Sequence, residues 1–127
     1  MRVAGLCDVH PKHLKRALDL FRDETGDGGR PRGFSNYRAL LDEKDVDAVI
    51  IATPVHLHAP QSIASLAAGK HVYCEKPMGL EPGECRDVLL AARGAENSGR
   101  VFQAGFQRRY SPRYRASMKF VHSGEAG

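Results

Sequence analysis

The sequence predicts an α/β fold built on a parallel sheet. Four short apolar runs of strand length alternate with segments whose apolar residues recur at helical spacing. The run at residues 47–52 is apolar without interruption after Asp47, which is typical of a strand buried on both faces of a parallel sheet. Strands and helices alternating at this pace indicate right-handed βαβ units.

The first half of the chain supplies two of the strands. Residues 2–7 are predicted to form a strand, and Pro11 opens a helix because proline is favoured in a first turn. A glycine-rich loop at 26–31 ends that helix, and a short helix at 35–42 precedes the strand at 47–52. The first helix carries one apolar stripe, which consists of Leu14, Ala17, Leu18 and Phe21.

The second half continues the same alternation. A helix is predicted over residues 60–68, with Ile63, Leu66 and Ala67 facing inward and Gly69 as the C-cap. The remaining predicted elements are a strand, a helix, a strand and a helix, over residues 71–74, 81–93, 101–106 and 112–122.

Composition limits the functional classes. The chain has 127 residues, 42% of them apolar and 27% charged, as in an ordinary globular domain. No apolar run reaches the roughly 20 residues of a membrane helix, so we expect no membrane partner. The net charge of +4 fits a solvated helix face and an anionic cofactor better than nucleic acid, which stays an alternative.

The cysteine and histidine spacings predict no metal site. Cys7, Cys74 and Cys85 are odd in number and lack ligand spacing, which favours a reducing compartment. His56 and His58 are two residues apart and have no acidic or cysteine partner at a suitable spacing. We expect a cytoplasmic protein, with an export signal upstream of Met1 as the open alternative.

Polar and titratable residues follow the predicted strands. Glu75-Lys76-Pro77 comes directly after the strand at 71–74, at the edge where open parallel sheets bind ligands. A lysine held there by a proline would bring a positive charge beside a reacting hydroxyl. The alternative is an exposed charged turn.

The ends of two earlier strands suggest a dinucleotide. Asp8 ends the first strand, where an acidic residue accepts hydrogen bonds from ribose hydroxyls. Its charge would disfavour a 2′-phosphate, so NAD is preferred and NADP is the alternative. On position alone, Asp8 serves equally well as a helix-initiating residue. Thr53-Pro54 forms a tight turn after the strand at 47–52 and brings backbone groups to the same crevice.

This chain resembles the glucose-fructose oxidoreductase, inositol dehydrogenase and rhizopine catabolism family (Gfo/Idh/MocA). Four stretches carry the resemblance: residues 46–54 with 56–60, residues 68–78, residues 105–112 and residues 123–127. The resemblance implies an NAD(P)-dependent oxidoreductase acting on a sugar, polyol or related hydroxyl substrate. It also implies a Rossmann domain followed by an α/β substrate domain, and a homo-oligomer when complete.

The resemblance also assigns residue roles. Lys76 would be catalytic, beside the nicotinamide and the substrate hydroxyl, and Glu75 would hold the nicotinamide ribose. Pro77 would fix the turn through a cis bond, and Arg109 would reach toward the nicotinamide end or the substrate. With Asp8, the implied cofactor-binding residues are Asp8, Thr53, Pro54, His58, Glu75, Lys76 and Arg109.

The sequence departs from the family pattern at both ends. The first strand and its Gly-x-Gly-x-x-Gly turn are absent, and residues 26–29 follow a helix and so do not replace them. The family's aspartate and histidine of the second domain would lie beyond Gly127, and Val55 replaces an asparagine often found there. We therefore expect a partial Rossmann-type, doubly wound parallel sheet without its first strand, Gly-rich loop and C-terminal substrate domain.

These departures lead to expectations about the chain itself. Residues 1–111 would be a truncated dinucleotide-binding domain, and residues 112–127 a linker helix with the start of the substrate domain. Without its central strand, the sheet would have an open edge. We expect a piece of a longer protein, inactive alone as an oxidoreductase. The alternative is a non-enzymatic nucleotide-sensing or protein-interaction module.

Overall fold

A computed structural model describes residues 2–24 and 31–125 of the chain. Its five strands form two parallel sheets. In the first sheet, β1 (Gly5–Cys7) pairs with β2 (Arg32–Phe34). The second sheet has the order β3-β4-β5, and its strands are Ala48–Ile51, His71–Glu75 and Phe102–Gly105.

Six α-helices connect and follow these strands. They are α1 (Pro11–Glu24), α2 (Tyr37–Leu41), α3 (His58–Ala67), α4 (Pro82–Glu96), α5 (Gln107–Tyr110) and α6 (Pro112–His122). A 3₁₀ turn, Val55–Leu57, leads into α3. The side chain of Asn36 caps α2 by accepting from the backbone N–H of Arg38 at 3.0 Å. Gly69 ends α3 at φ 72°, as its predicted C-cap role requires.

The core lies between one face of the second sheet and the helices α3 and α4. Because side chains alternate along a strand, Val72 and Cys74 of β4 point into this core, and Tyr73 between them is only half-buried. Leu66 of α3 and Val88 of α4 are buried on the helix side. The predicted α/β class with parallel strands is confirmed.

Three sequence-based expectations need correction. Residues 47–52 were expected to be buried on both faces, but Ile50 is 70% exposed because the described helices α3 and α4 cover one face of β3. Ala67 was expected to face inward and is exposed, and polar Ser62 and Ser65 line the buried side of α3 instead. The elements β2 and α5 were not predicted.

The two sheets are separate in their backbone hydrogen bonding over the residues that the structure describes. Neither β1 nor β3 has a described partner on its second edge, which agrees with the expected open edge. The predicted glycine-rich loop at 26–31 lies outside the described residues except for Pro31. Over the described ranges, no helix has the length and apolar character needed to cross a membrane.

Candidate functional site

The candidate site lies at the carboxyl ends of the strands. Glu75 is the last residue of β4 and Gly105 the last of β5, while Thr53 follows β3 by two residues. The parallel pairing of these strands brings their ends to one edge of the sheet. Asp8 holds the corresponding position after β1 in the other sheet.

Asp8 lies in the turn between β1 and α1. Its backbone N–H donates to the carbonyl of Phe34 at 3.1 Å, and its Oδ1 accepts from the backbone N–H of His10 at 2.7 Å. Its Oδ2 lies 3.7 Å from Nδ1 of His13, and the side chain is 40% exposed. The carboxylate thus closes the turn before the helix and still presents an acceptor to solvent.

Thr53 and Pro54 form the turn after β3. The Thr53 hydroxyl donates to Oε1 of Gln61 at 2.8 Å, which anchors the turn to α3. The carbonyl of Pro54 accepts from the backbone N–H of Leu57 at 2.8 Å and begins the 3₁₀ turn. Pro54 is exposed and Thr53 is half-buried, so the turn lies at the protein surface.

His58 is buried beneath this turn and joins it to the next loop. Its Nε2 lies 2.8 Å from the carbonyl oxygen of Thr53, and its Nδ1 lies 2.7 Å from the carbonyl oxygen of Pro77. Only 2% of the residue is exposed. In this structure both ring nitrogens therefore contact protein carbonyls, whereas His56 is exposed.

Lys76 lies on the loop that His58 holds. The Lys76-Pro77 peptide bond is cis, which confirms that prediction. The Lys76 side chain is exposed, and Glu75 beside it is half-buried. Among the described residues, no hydrogen bond or ion pair of the Lys76 ammonium is formed, so the group is free to meet a ligand.

Tyr73 contacts the candidate site and was not singled out from the sequence. Its hydroxyl donates to Oε1 of Glu75 at 3.4 Å. Burial raises the pKa of this hydroxyl, and the negative charge of Glu75 raises it further. A Cβ added to Gly105 would lie 2.7 Å from the same hydroxyl. The two-residue period of a strand, which places Tyr73 and Glu75 on one face, was the available signal.

Arg109 lies on α5, beyond the end of β5. Its guanidinium is 5.7 Å from the centroid of the Phe106 ring. The neighbouring Arg108 similarly approaches the ring of Tyr114 at 5.4 Å. An open basic groove at α5 and α6 is lined by Phe106, Arg108, Arg109, Tyr114, Arg115, Met118, Lys119 and His122.

The described part of the chain was compared with the ligand sets of metal centres. Within residues 2–24 and 31–125, no group of three or more histidine, cysteine, aspartate or glutamate side chains is placed to hold a metal ion. The described strand ends offer the exposed Lys76 ammonium and the carboxylates of Glu75 and Asp8.

Comparison with known proteins places the whole chain in one group. Residues 1–106 match the oxidoreductase family Gfo/Idh/MocA, described as having an NAD-binding Rossmann fold. Inositol 2-dehydrogenase of Salmonella typhimurium is 34% identical over 127 residues, which are 100% of this chain and 35% of that protein. The chain spans about a third of the length of the curated relatives it matches.

Solved structures agree with the sequence match. The myo-inositol 2-dehydrogenase of Lactobacillus plantarum superimposes with a TM-score of 0.81 at 29% identity, over 100% of this chain and 35% of that one. The scyllo-inositol dehydrogenase of Lactobacillus casei, solved with NAD(H) and scyllo-inositol, superimposes with a TM-score of 0.77 at 30% identity. The match covers 95% of this chain and 33% of that one. A 3-ketoreductase of Actinomadura kijaniata, KijD10, solved with NADP, superimposes with a TM-score of 0.77 at 30% identity. The match covers 96% of this chain and 35% of that one.

Proposed function

Since the chain belongs to the Gfo/Idh/MocA oxidoreductase family, with its NAD-binding Rossmann fold, we propose that it forms the cofactor side of a dehydrogenase active site. The expected resemblance and fold are confirmed by the family match. The proposed reaction is hydride transfer between a nicotinamide cofactor and a hydroxyl carbon of a polyol or sugar. The inositol substrates of the relatives support this substrate class.

The residues at the strand ends support binding of the ribose and nicotinamide parts of a dinucleotide. Asp8 offers a carboxylate that is 40% exposed and placed where ribose hydroxyls are bound in dinucleotide folds. Thr53 and Pro54 bring a surface turn to the same edge, and Glu75 adds a second carboxylate. The cofactor supplies the hydride acceptor or donor when bound. We assign its binding to the two carboxylates, the turn, Lys76 and Arg109.

One observation carries the proposal for Lys76. Its ammonium is exposed at the carboxyl end of β4, on a loop whose neighbouring carbonyl is fixed by buried His58. In the proposed role, the ammonium donates a hydrogen bond to the substrate oxygen. As hydride leaves the adjacent carbon, the bond to oxygen gains carbonyl character, and a fixed positive charge stabilises negative charge on that oxygen.

We also propose how the chain divides. Residues 1–111 would form the dinucleotide-binding unit, and residues 112–127 the start of a connection to a substrate domain. The exposure of every described residue of α6, including apolar Met118 and Phe120, supports a helix made to pack against further protein. The exposed apolar side chains of α6 also support a homo-oligomer. The free state of Cys7, Cys74 and Cys85 supports a cytoplasmic location.

The test is NAD and NADP reduction by the protein that contains this segment, purified from its natural source and assayed with a panel of inositols and sugars. We expect oxidation of at least one polyol, and a decrease of about 100-fold or more in kcat for Lys76→Ala, as for loss of a charge-stabilising donor. Lys44→Ala, which removes another exposed lysine, is the control. NADH binding without turnover of any substrate would overturn the proposed dehydrogenase activity and favour a nucleotide-sensing role.

A further inference from the structure

His58 faces two hydrogen-bond acceptors at once. Both of its ring nitrogens lie within 2.8 Å of a backbone carbonyl oxygen, that of Pro77 and that of Thr53. A carbonyl oxygen only accepts, so a ring N–H is the donor where a hydrogen bond is formed, and the tautomer decides which nitrogen carries it.

The two carbonyls belong to different loops of the candidate site. Thr53 lies in the turn after β3, and Pro77 follows Lys76 after β4, while the ring is carried by the first residue of α3. We propose that His58 is a positioning residue whose ring cross-links these loops and thereby fixes the place of Lys76. The inference rests on the proposed function for the role of Lys76, but the cross-link itself does not.

The surroundings keep the acceptors in place. The Thr53 hydroxyl donates to Gln61, itself buried one turn further along α3, so the turn is attached to this helix twice. Pro77 follows directly on Lys76, and its carbonyl is the contact that connects this loop to α3. Loss of the ring's contacts would therefore free the Lys76 loop while leaving the Thr53 turn attached through Gln61.

The first measurement is ¹⁵N NMR of the histidine ring nitrogens in the labelled chain at pH 7. The His56→Gln and His58→Gln spectra assign the two rings. The expected result is a proton-bound ¹⁵N shift at Nδ1 of His58, the nitrogen that lies 2.7 Å from the Pro77 carbonyl oxygen. A lone-pair shift at Nδ1 would overturn the cross-link to the Lys76 loop.

The second measurement tests positioning by amide hydrogen exchange. His58→Phe fills the site but donates no hydrogen bond, and His56→Phe is the matched control at an exposed position two residues earlier. We expect exchange at Lys76 and Met78 to become about ten-fold faster in His58→Phe and to be unchanged in His56→Phe. Exchange that is unchanged in both variants would overturn the positioning role.

A variant that fails to fold would not decide the matter, so His58→Gln provides a second route. Its amide group can donate to one carbonyl, and we expect intermediate exchange at Lys76 and Met78. If exchange in His58→Gln equals that in His58→Phe, the donor contacts do not position the loop. NADH titration of the wild-type chain is a separate experiment. If the chain does not bind NADH, the proposed function is contradicted, whereas the cross-link is still tested by NMR.

Discussion

Arg2 donates from its guanidinium to Oδ2 of Asp45 at 3.0 Å. Arg2 precedes β1 and Asp45 precedes β3, so the pair joins the amino ends of two sheets that share no backbone hydrogen bonds among the described residues. Arg32, the first residue of β2, also donates to Asp45, and it pairs with Glu43 at 2.6 Å. This network lies at the edge opposite to the strand ends that carry the candidate site.

The first prediction concerns Asp45. Hydrogen bonds from Arg2 and then Arg32 hold the pKa of its carboxyl below the ordinary value of 3.8. Because this pKa is lower in the folded state than in the unfolded state, the ionised carboxylate stabilises the fold at pH values above 3.8. This stabilisation is lost as the pH falls through the folded-state pKa. We expect Asp45→Asn to lower Tm by a few degrees at pH 7, and the difference from wild type to shrink below about pH 4.

The measurement is thermal unfolding by circular dichroism between pH 7 and pH 3. Asp87→Asn is the control, because Asp87 is exposed and pairs with the adjacent Arg86 at 3.3 Å within one helix. A Tm difference for Asp45→Asn that stays constant over this pH range would contradict the assignment to its ionised carboxylate.

The second prediction concerns the core between α3, α4 and the second sheet. Leu66 is 5% exposed and belongs to the cluster that includes Val72 and Cys74. We expect Leu66→Ala to lower the free energy of unfolding by about 2–5 kcal/mol, because it removes buried methyl groups and leaves a cavity. Leu89 on α4 is 49% exposed. We expect Leu89→Ala to change the free energy of unfolding by about 0.5 kcal/mol or less.

Urea denaturation of both variants measures these changes in the free energy of unfolding. The two variants are matched because each replaces leucine by alanine within a helix. Equal losses at the two positions would show that the core does not lie between α3 and the sheet as described.

The sequence predicted those parts of the fold that its own periodicity encodes. The apolar runs of β3 and β4 and the cap at Gly69 were recognisable because strand length and glycine at a helix end are local signals. β2 was missed because Arg32-Gly33-Phe34 contains a single large apolar side chain. Its strand conformation comes from pairing with β1, which the local sequence does not encode.

The candidate site was predictable only in part, for a related reason. Lys76 was singled out by its position after a strand, and the structure shows its side chain exposed at that edge. That His58 lines the cofactor stays a prediction, and the structure adds that its ring contacts the carbonyls of Thr53 and Pro77. Pro77 is 19 residues away, and the acceptor is a backbone carbonyl, which every residue has. No residue type in the sequence marks such a partner.

The third prediction concerns Gly105 at the end of β5. A Cβ at this position would lie 2.7 Å from the Tyr73 hydroxyl and 3.2 Å from the carbonyl of Cys74. We expect Gly105→Ala to cost about 1–3 kcal/mol of folding free energy, since Tyr73 must move to make room. Adding Tyr73→Phe should recover part of that loss by removing the hydroxyl.

A double-mutant cycle measured by urea denaturation isolates this contact. Gly94→Ala in α4 serves as the control, because a Cβ there meets nothing within 4 Å. It should stabilise the protein by about 0.5–1 kcal/mol through helix propensity. Strict additivity of the Gly105 and Tyr73 substitutions would contradict the proposed clash.

The last prediction concerns Asp8 and the choice between NADH and NADPH. Oδ1 of Asp8 accepts from the His10 N–H in the turn before α1, and asparagine keeps an oxygen at that place. Asp8→Asn should therefore fold normally while removing the negative charge that, in the proposed role, disfavours a 2′-phosphate. A unit charge about 4 Å away in water contributes about 1 kcal/mol, so we expect the NADH-to-NADPH affinity ratio to fall about five-fold.

Fluorescence titration with both cofactors measures the affinity ratio, and Asp87→Asn, far along α4, is the control. Because the contact with the His10 N–H is retained in Asp8→Asn, an unchanged ratio would mean that Asp8 serves the turn before α1 alone and that cofactor choice is made by other residues.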